Sequence, residues 1–172
     1  MKRFFCFIII LFGFTLASHA ENGMCIEGNC INGFGIFMWE DGSRYEGHFS
    51  NKLRHGEGTM SYEDEEQKYT GNWSKGRQHG KGIMVYVDGE EYNGDWLNGK
   101  KHGIGTVTFP NGEVFKGQIK NGKWDGKGEY KFADGSVFIG SWKSNKMHGT
   151  GKYTYPNGST KKVSYQEGTL LE

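Results

Sequence analysis

Proline is nearly absent from this 172-residue chain, with two residues against 29 glycines. Collagen is excluded, because glycine does not recur at every third position and the prolines of a triple helix are missing. Long apolar runs are also scarce, the one exception being Phe4 to Ala17 near the start. Helix formers do not occur in series, so an α-helical domain finds no support. What the chain has in abundance is glycine and aromatic rings: 12 Phe, 9 Tyr and 5 Trp. That aromatic load excludes a solvated, disordered polymer. Glycine and rings together point to β-structure with many tight turns, and the length allows one or at most two ordinary domains.

The first twenty residues read as an address. Lys2 and Arg3 precede the apolar run, and Ser18-His19-Ala20 follows it. A basic start, a short apolar stretch and small residues at −3 and −1 form a secretory signal peptide, with cleavage expected after Ala20. The run is shorter than the roughly 20 residues a membrane span requires. Cys6 lies in front of the apolar stretch rather than behind it, so lipidation there is rejected. The expected location is therefore the periplasm, the cell envelope or the extracellular space.

Without residues 1–20 the formal charge is −1, and it is unevenly spread. Residues 21–96 carry a net −7 and residues 97–172 a net +6. Drift along a solvated surface accounts for such a split; so does steering of a partner, or head-to-tail association of copies. Cys25 and Cys30 are the cysteines left after cleavage, and an oxidising compartment would let them pair. A metal site from two cysteines without a further ligand pair is not expected.

A repeat of about 23 residues governs the rest. Gly-x-Gly steps begin at Gly33, Gly56, Gly80, Gly103, Gly126 and Gly149. Each is followed by a turn sequence such as Asp41-Gly42, Asp88-Gly89, Pro110-Asn111-Gly112 or Asp134-Gly135. Then comes an aromatic-x-Gly-x-aromatic segment: Tyr45 to Phe49, Tyr69 to Trp73, Tyr92 to Trp96, Phe115 to Ile119 and Phe138 to Trp142. Asn-Gly and Asp-Gly between short alternating runs are hairpin signals. Each repeat is therefore read as a β-hairpin closed by the Asp-Gly or Asn-Gly turn. A more open loop such as Leu97 to His102 is expected to pass the chain to the next hairpin.

Alternation places glycines and rings on one face, since side chains two apart point the same way. A glycine beside a ring lets the ring lie flat on the backbone. No single repeat buries enough surface to stand alone, so stability is collective.

The pattern Tyr92-x-Gly94-x-Trp96-x-x-Gly99-Lys100-x-x-Gly103-x-Gly105 resembles the MORN (membrane occupation and recognition nexus) repeat. The resemblance covers about residues 33–168. It implies an all-β fold: an elongated, single-layer antiparallel sheet of about six stacked hairpins, with glycines and rings on the inner side. Residues 21–32, with the cysteines, would cap one end, and residues 169–172 form a tail. Departures are Ile119 in place of Trp, Phe115 and Phe138 in place of Tyr, and Glu63-Asp64-Glu65-Glu66 in place of the glycine turn of the second unit. In the sixth unit Lys161 and Val163 replace an aromatic and a glycine, which reads as a C-terminal cap.

The resemblance implies binding or scaffolding rather than catalysis, and no cofactor. The leading expectation is a protein or peptide held along a groove lined by Tyr45, Phe49, Tyr69, Trp73, Tyr92, Trp96, Phe115, Phe138 and Trp142, since rings make good anchors. Another copy of the chain is a further candidate partner. The alternative is association with anionic lipid through Lys100, Lys101, Lys116, Lys120, Lys123, Lys127, Lys143 and Lys146. No nucleic acid is expected. His55, His79, His102 and His148 share one column, with Asp125 in the same place. Equivalent residues two strands apart stand roughly 10 Å from one another, too far to share a zinc with ligands at about 2 Å. They are read as loop supports, and no metal is assigned. The Gly-x-Gly steps precede no helix, so a dinucleotide site is rejected.

Overall fold

The computed structural model describes residues 22–63 and 66–171. The expected signal peptide lies outside these residues. The described chain forms fourteen strands: β1 Gly23–Gly28, β2 Gly33–Trp39, β3 Arg44–Ser50, β4 Leu53–Ser61, β5 Lys68–Ser74, β6 Arg77–Val85 and β7 Glu91–Leu97, continuing with β8 Lys100–Thr108, β9 Val114–Lys120, β10 Lys123–Lys131, β11 Val137–Lys143, β12 Lys146–Thr154, β13 Thr160–Gln166 and β14 Thr169–Leu171. Every neighbouring pair is antiparallel, and the order across the sheet is the order along the chain. The result is one open sheet, with no helix among the described residues.

The tight turns are not where the sequence pattern suggested. Residues 98–99 alone separate β7 from β8, and both have positive φ, 51° at Asn98 and 82° at Gly99. That pair suits a two-residue hairpin loop twisted like its strands. Asn121-Gly122 and Lys75-Gly76 repeat it, and so does Ser144-Asn145 without a glycine. The Asp-Gly sequences sit instead in the longer connections. In residues 86–90, Gly89 N–H donates to Tyr86 O at 2.9 Å and Asp88 Oδ1 accepts from Glu90 N–H at 3.0 Å. An Asp side chain that folds the loop onto itself needs those extra residues. So the segment read as an open loop is the sharp turn, and the converse.

From β3 to β13 the strands alternate in length, seven residues then nine. The surplus bulges out of the ladder between Gly94 and Asp95 as paired with β8, where Gly103 and Ile104 have no partner on β7. Gly103 supplies the left-handed φ of 63° that this bulge requires. The second glycine of the step does something different. Gly105 pairs with Gly94, and a β-carbon on either would strike the ring of Tyr92 or the facing backbone. The same pairing, Gly47↔Gly58, Gly71↔Gly82, Gly117↔Gly128 and Gly140↔Gly151, runs across the sheet. It stops at Val163, which faces Gly151 from β13.

Tyr45, Tyr69, Tyr92, Phe115 and Phe138 lie flat on this glycine track and are wholly buried. A core thus exists in a single-layer protein because rings fold down onto bare backbone. Strand β1 lies within the segment expected as the N-terminal cap, and β14 adds a short final strand.

Candidate functional site

The ring-bearing face has two tiers. The lower tier is a ladder of rings, interrupted between Tyr92 and Phe115, where Ile119 replaces a tryptophan. Trp73 contacts Tyr45 and Tyr69, and Trp96 contacts Tyr69 and Tyr92, each edge-on at 5.0–5.3 Å. Edge-to-face contact suits the opposite charges of ring edge and ring face. The polar ends are satisfied too. Trp73 Nε1 donates to Gly58 O at 3.1 Å and Trp96 Nε1 to Gly82 O at 3.1 Å. The hydroxyls of Tyr69 and Tyr92 donate to Asn72 O and Asp95 O at 2.9 and 2.7 Å.

The nine residues assigned to a groove, Tyr45, Phe49, Tyr69, Trp73, Tyr92, Trp96, Phe115, Phe138 and Trp142, therefore form its floor. None is more than 7% exposed. They hold the sheet together, and a partner laid on the face would meet other side chains first. The accessible tier is the half-buried row Phe37, Trp39, Tyr62, Tyr86, Phe109, Trp124, Tyr130, Phe132 and Tyr153. Sequence reasoning placed several of these on the correct face, yet it gave them no role.

Trp124 was missed altogether. It stacks on Phe115 with centroids 4.0 Å apart and planes 3° off parallel. It pairs with Ile119 across the sheet, and the two line a cavity of about 340 Å³. It also meets Trp142 edge-on at 5.1 Å. The signal was available as a fifth tryptophan lacking a place in the repeat.

Burial raises the phenol pKa values along this face. Tyr45 is pushed up to about 12 and Tyr69 and Tyr92 further. Tyr130 is also raised to about 12, by burial and then by its hydrogen bond to Glu113 Oε2 at 2.8 Å. On the opposite face Asp95 is lowered, first by its 2.6 Å contact with Lys81 and also by the Ile104 N–H it accepts. These are neutral phenols and paired carboxylates at ordinary pH, suited to binding.

Six stretches of this architecture, residues 31–44, 45–66, 69–91, 92–114, 115–137 and 138–160, match the MORN repeat. The chain belongs to the MORN-repeat family. No curated protein matches the sequence. Among solved structures, the SAS-4 (dCPAP) TCP domain of Drosophila melanogaster, in complex with a proline rich motif of Ana2 (dSTIL), is 15% identical. It covers 81% of this chain and 88% of its own, with a TM-score of 0.48. The wild-type TCP10 domain of Danio rerio CPAP, in complex with a peptide of Danio rerio STIL, is 14% identical over 82% of this chain and 84% of its own, with a TM-score of 0.37.

The lysines of the MORN units do not form one patch. Lys101 is on the ring face, 2.6 Å from Glu90 and 4.7 Å from the Tyr86 ring centroid. Lys127 donates to Ser141 Oγ at 2.8 Å, and Lys116 lies on the face opposite the rings. The other five, Lys100, Lys120, Lys123, Lys143 and Lys146, flank the two-residue turns along one long edge. Lys52, Lys75 and Arg77 continue that edge into the N-terminal half, and among the described residues Glu167 in its last turn and Asp125, bonded to Ser144 N–H, are acids there. The long connections on the other edge, with the strand residue on each side, hold nine acids among the described residues against Arg44, Lys68 and Lys131. The charge split between the halves of the sequence is thus also a split across the width of the ribbon.

Two histidines of the column and Asp125 act as loop supports, whereas His79 Nδ1 is buried without a hydrogen-bond partner. His102 Nδ1 accepts from Asn121 N–H and His148 Nδ1 from Glu167 N–H, at 3.5 and 3.4 Å, and Asp125 Oδ2 accepts from Ser144 N–H. The described residues contain no group of three metal-ligating side chains.

Proposed function

We propose that the protein is an exported, non-catalytic interaction module that holds a protein or peptide against its ring-bearing face. The observation that carries this reading is the half-buried aromatic row. A sheet that needed rings only for its own stability would be served by the buried ladder. The upper row adds Tyr62, Tyr86 and Phe132, each leaving part of its ring to solvent on one side of an open sheet. Large rings with a polar tip supply contact area at small entropic cost. Export is supported by the apolar leader pattern and by the disulfide joining Cys25 to Cys30, a bond that oxidising compartments maintain.

The test is capture from envelope and culture extracts on the immobilised mature chain. Tyr86→Ser with Phe132→Ser should fold, by circular dichroism, and lose the captured protein. Ile104→Ser with Ile139→Ser, exposed on the opposite face, should retain it. The reverse pattern assigns binding to the other face and defeats the proposal.

The cationic long edge favours a second reading, contact with an anionic lipid surface. Side chains repeating once per hairpin along an edge can all meet a plane together, each adding about 1 kcal/mol. Sedimentation with vesicles of anionic and neutral lipid at low and high salt tests it. Binding that ignores both charge and salt rejects it.

A further inference from the structure

Each buried tryptophan in the column touches two flat rings, as Trp73 touches Tyr45 and Tyr69, and Trp142 touches Phe115 and Phe138. Phe49 holds the equivalent place nearest the N-terminal end. Among the described residues it meets one flat ring, Tyr45, at 5.1 Å, and Cys30 covers Gly35, the glycine on which a second flat ring would lie. Its other side faces a cavity of about 350 Å³. Phe37, Trp39, Leu53 and the Cys25–Cys30 disulfide form the apolar walls, and Lys52 and Arg54 also line it.

Arg54 is an unusual wall. Its guanidinium lies 4.6 Å from the Trp73 ring centroid and 5.5 Å from that of Trp39. It donates to Gly76 O at 3.1 Å, and no carboxylate among the described residues pairs with it. A guanidinium carries five donors in a planar fork that suits a carboxylate. Two features therefore converge on one ligand. The apolar walls beside Phe49 suit a ring, and the cation calls for an anion beside that ring.

We propose that this cavity receives the C-terminal residue of a peptide ending in an aromatic side chain. The ring packs against Phe49, Phe37 and Trp39, and the α-carboxylate meets Arg54 with Lys52. The peptide chain then leaves along the half-buried row, towards Tyr62 and Tyr86. This rests on the ring face being the protein-binding face. The cavity is at the low end of the size range of small-ligand sites, which fits a single residue better than a long acyl chain.

The test uses N-acetyl-L-phenylalanine, its C-terminal amide and octanoate as probes on the mature chain. Binding is read by calorimetry and by the change in indole fluorescence that Trp39→Phe should diminish. The acid should bind, about tenfold or more tighter than the amide, because the charged contact is the strong one. Arg54→Gln should remove that preference. Because Arg54 also packs on two indoles, the exposed Lys52→Glu is the second variant. It should weaken the acid severalfold without moving the melting temperature. Equal binding of acid and amide, no binding of either, or octanoate binding without N-acetyl-L-phenylalanine each overturns the proposal. Acid binding that survives Tyr86→Ser with Phe132→Ser, while protein capture proves indifferent to those changes, defeats the ring-face reading instead.

Discussion

The ring of Tyr92 occupies the space that a side chain on Gly105 would need. Tyr45 stands in the same relation to Gly58, Tyr69 to Gly82 and Phe138 to Gly151. Gly105→Ala must therefore lift a wholly buried ring or push the strands apart. Such overpacking costs about 2–3 kcal/mol. Gly112 is the contrast: nothing lies within 4 Å of its missing β-carbon, but its φ is +82°. Gly112→Ala should cost about 1 kcal/mol from backbone strain alone. Urea midpoints for the two variants measure both. The opposite ranking would contradict the account of rings resting on bare backbone.

Ile119 and Trp124 should behave as a coupled pair. Trp124→Ala removes an indole from contact with Phe115 and Trp142, with an expected loss of about 3 kcal/mol. Ile119→Trp, which restores the commoner residue of the column, should destabilise while Trp124 holds the face of Phe115. Together the two changes should cost less than their sum, since each makes room for the other. A double-mutant cycle in denaturant checks this, and strict additivity would disprove the compensation.

Alkaline unfolding should begin near the pH at which free tyrosine ionises, about 10. In the folded chain Tyr45 keeps its proton to about 12, and Tyr69 and Tyr92 keep theirs longer. Between those limits the unfolded chain binds fewer protons than the folded one, so stability falls as pH rises. It is complete below pH 10. Tyr45→Phe should flatten the stability profile between pH 10 and 12, followed by circular dichroism at fixed denaturant. At neutral pH, Tyr69→Phe should cost about 1 kcal/mol through the donor lost to Asn72 O.

Reducing the Cys25–Cys30 disulfide should loosen one end and leave the rest. The loop it closes is short, so its contribution is about 2 kcal/mol. Amide exchange should accelerate in β1 and β2 and stay unchanged from β6 to β12. A uniform acceleration would mean that the end strands nucleate the whole sheet.

The repeat period, the hairpins and the shared face of glycines and rings were all legible, because alternation along a strand is a property of the backbone alone. Turn assignment was not. Asp88-Gly89 and Asn98-Gly99 look equally suited to a two-residue turn. What separates them is the pairing of Leu97 with Lys100, and the hydrogen bonds that fold residues 86–90 onto themselves. The groove residues were legible as a column but not as a floor. Burial of Tyr45 or Trp96 depends on rings arriving from the units on either side.

By itself the sequence determined that this chain is a run of β-hairpins with rings and glycines on a common face. Period and parity are local, so they survive without coordinates. Only the tertiary structure decided which rings are covered, which edge is cationic and where Phe49 and Arg54 meet a cavity. Those outcomes follow from strand register and from bulges that lengthen alternate strands, and they bring together residues that no spacing in the sequence makes neighbours.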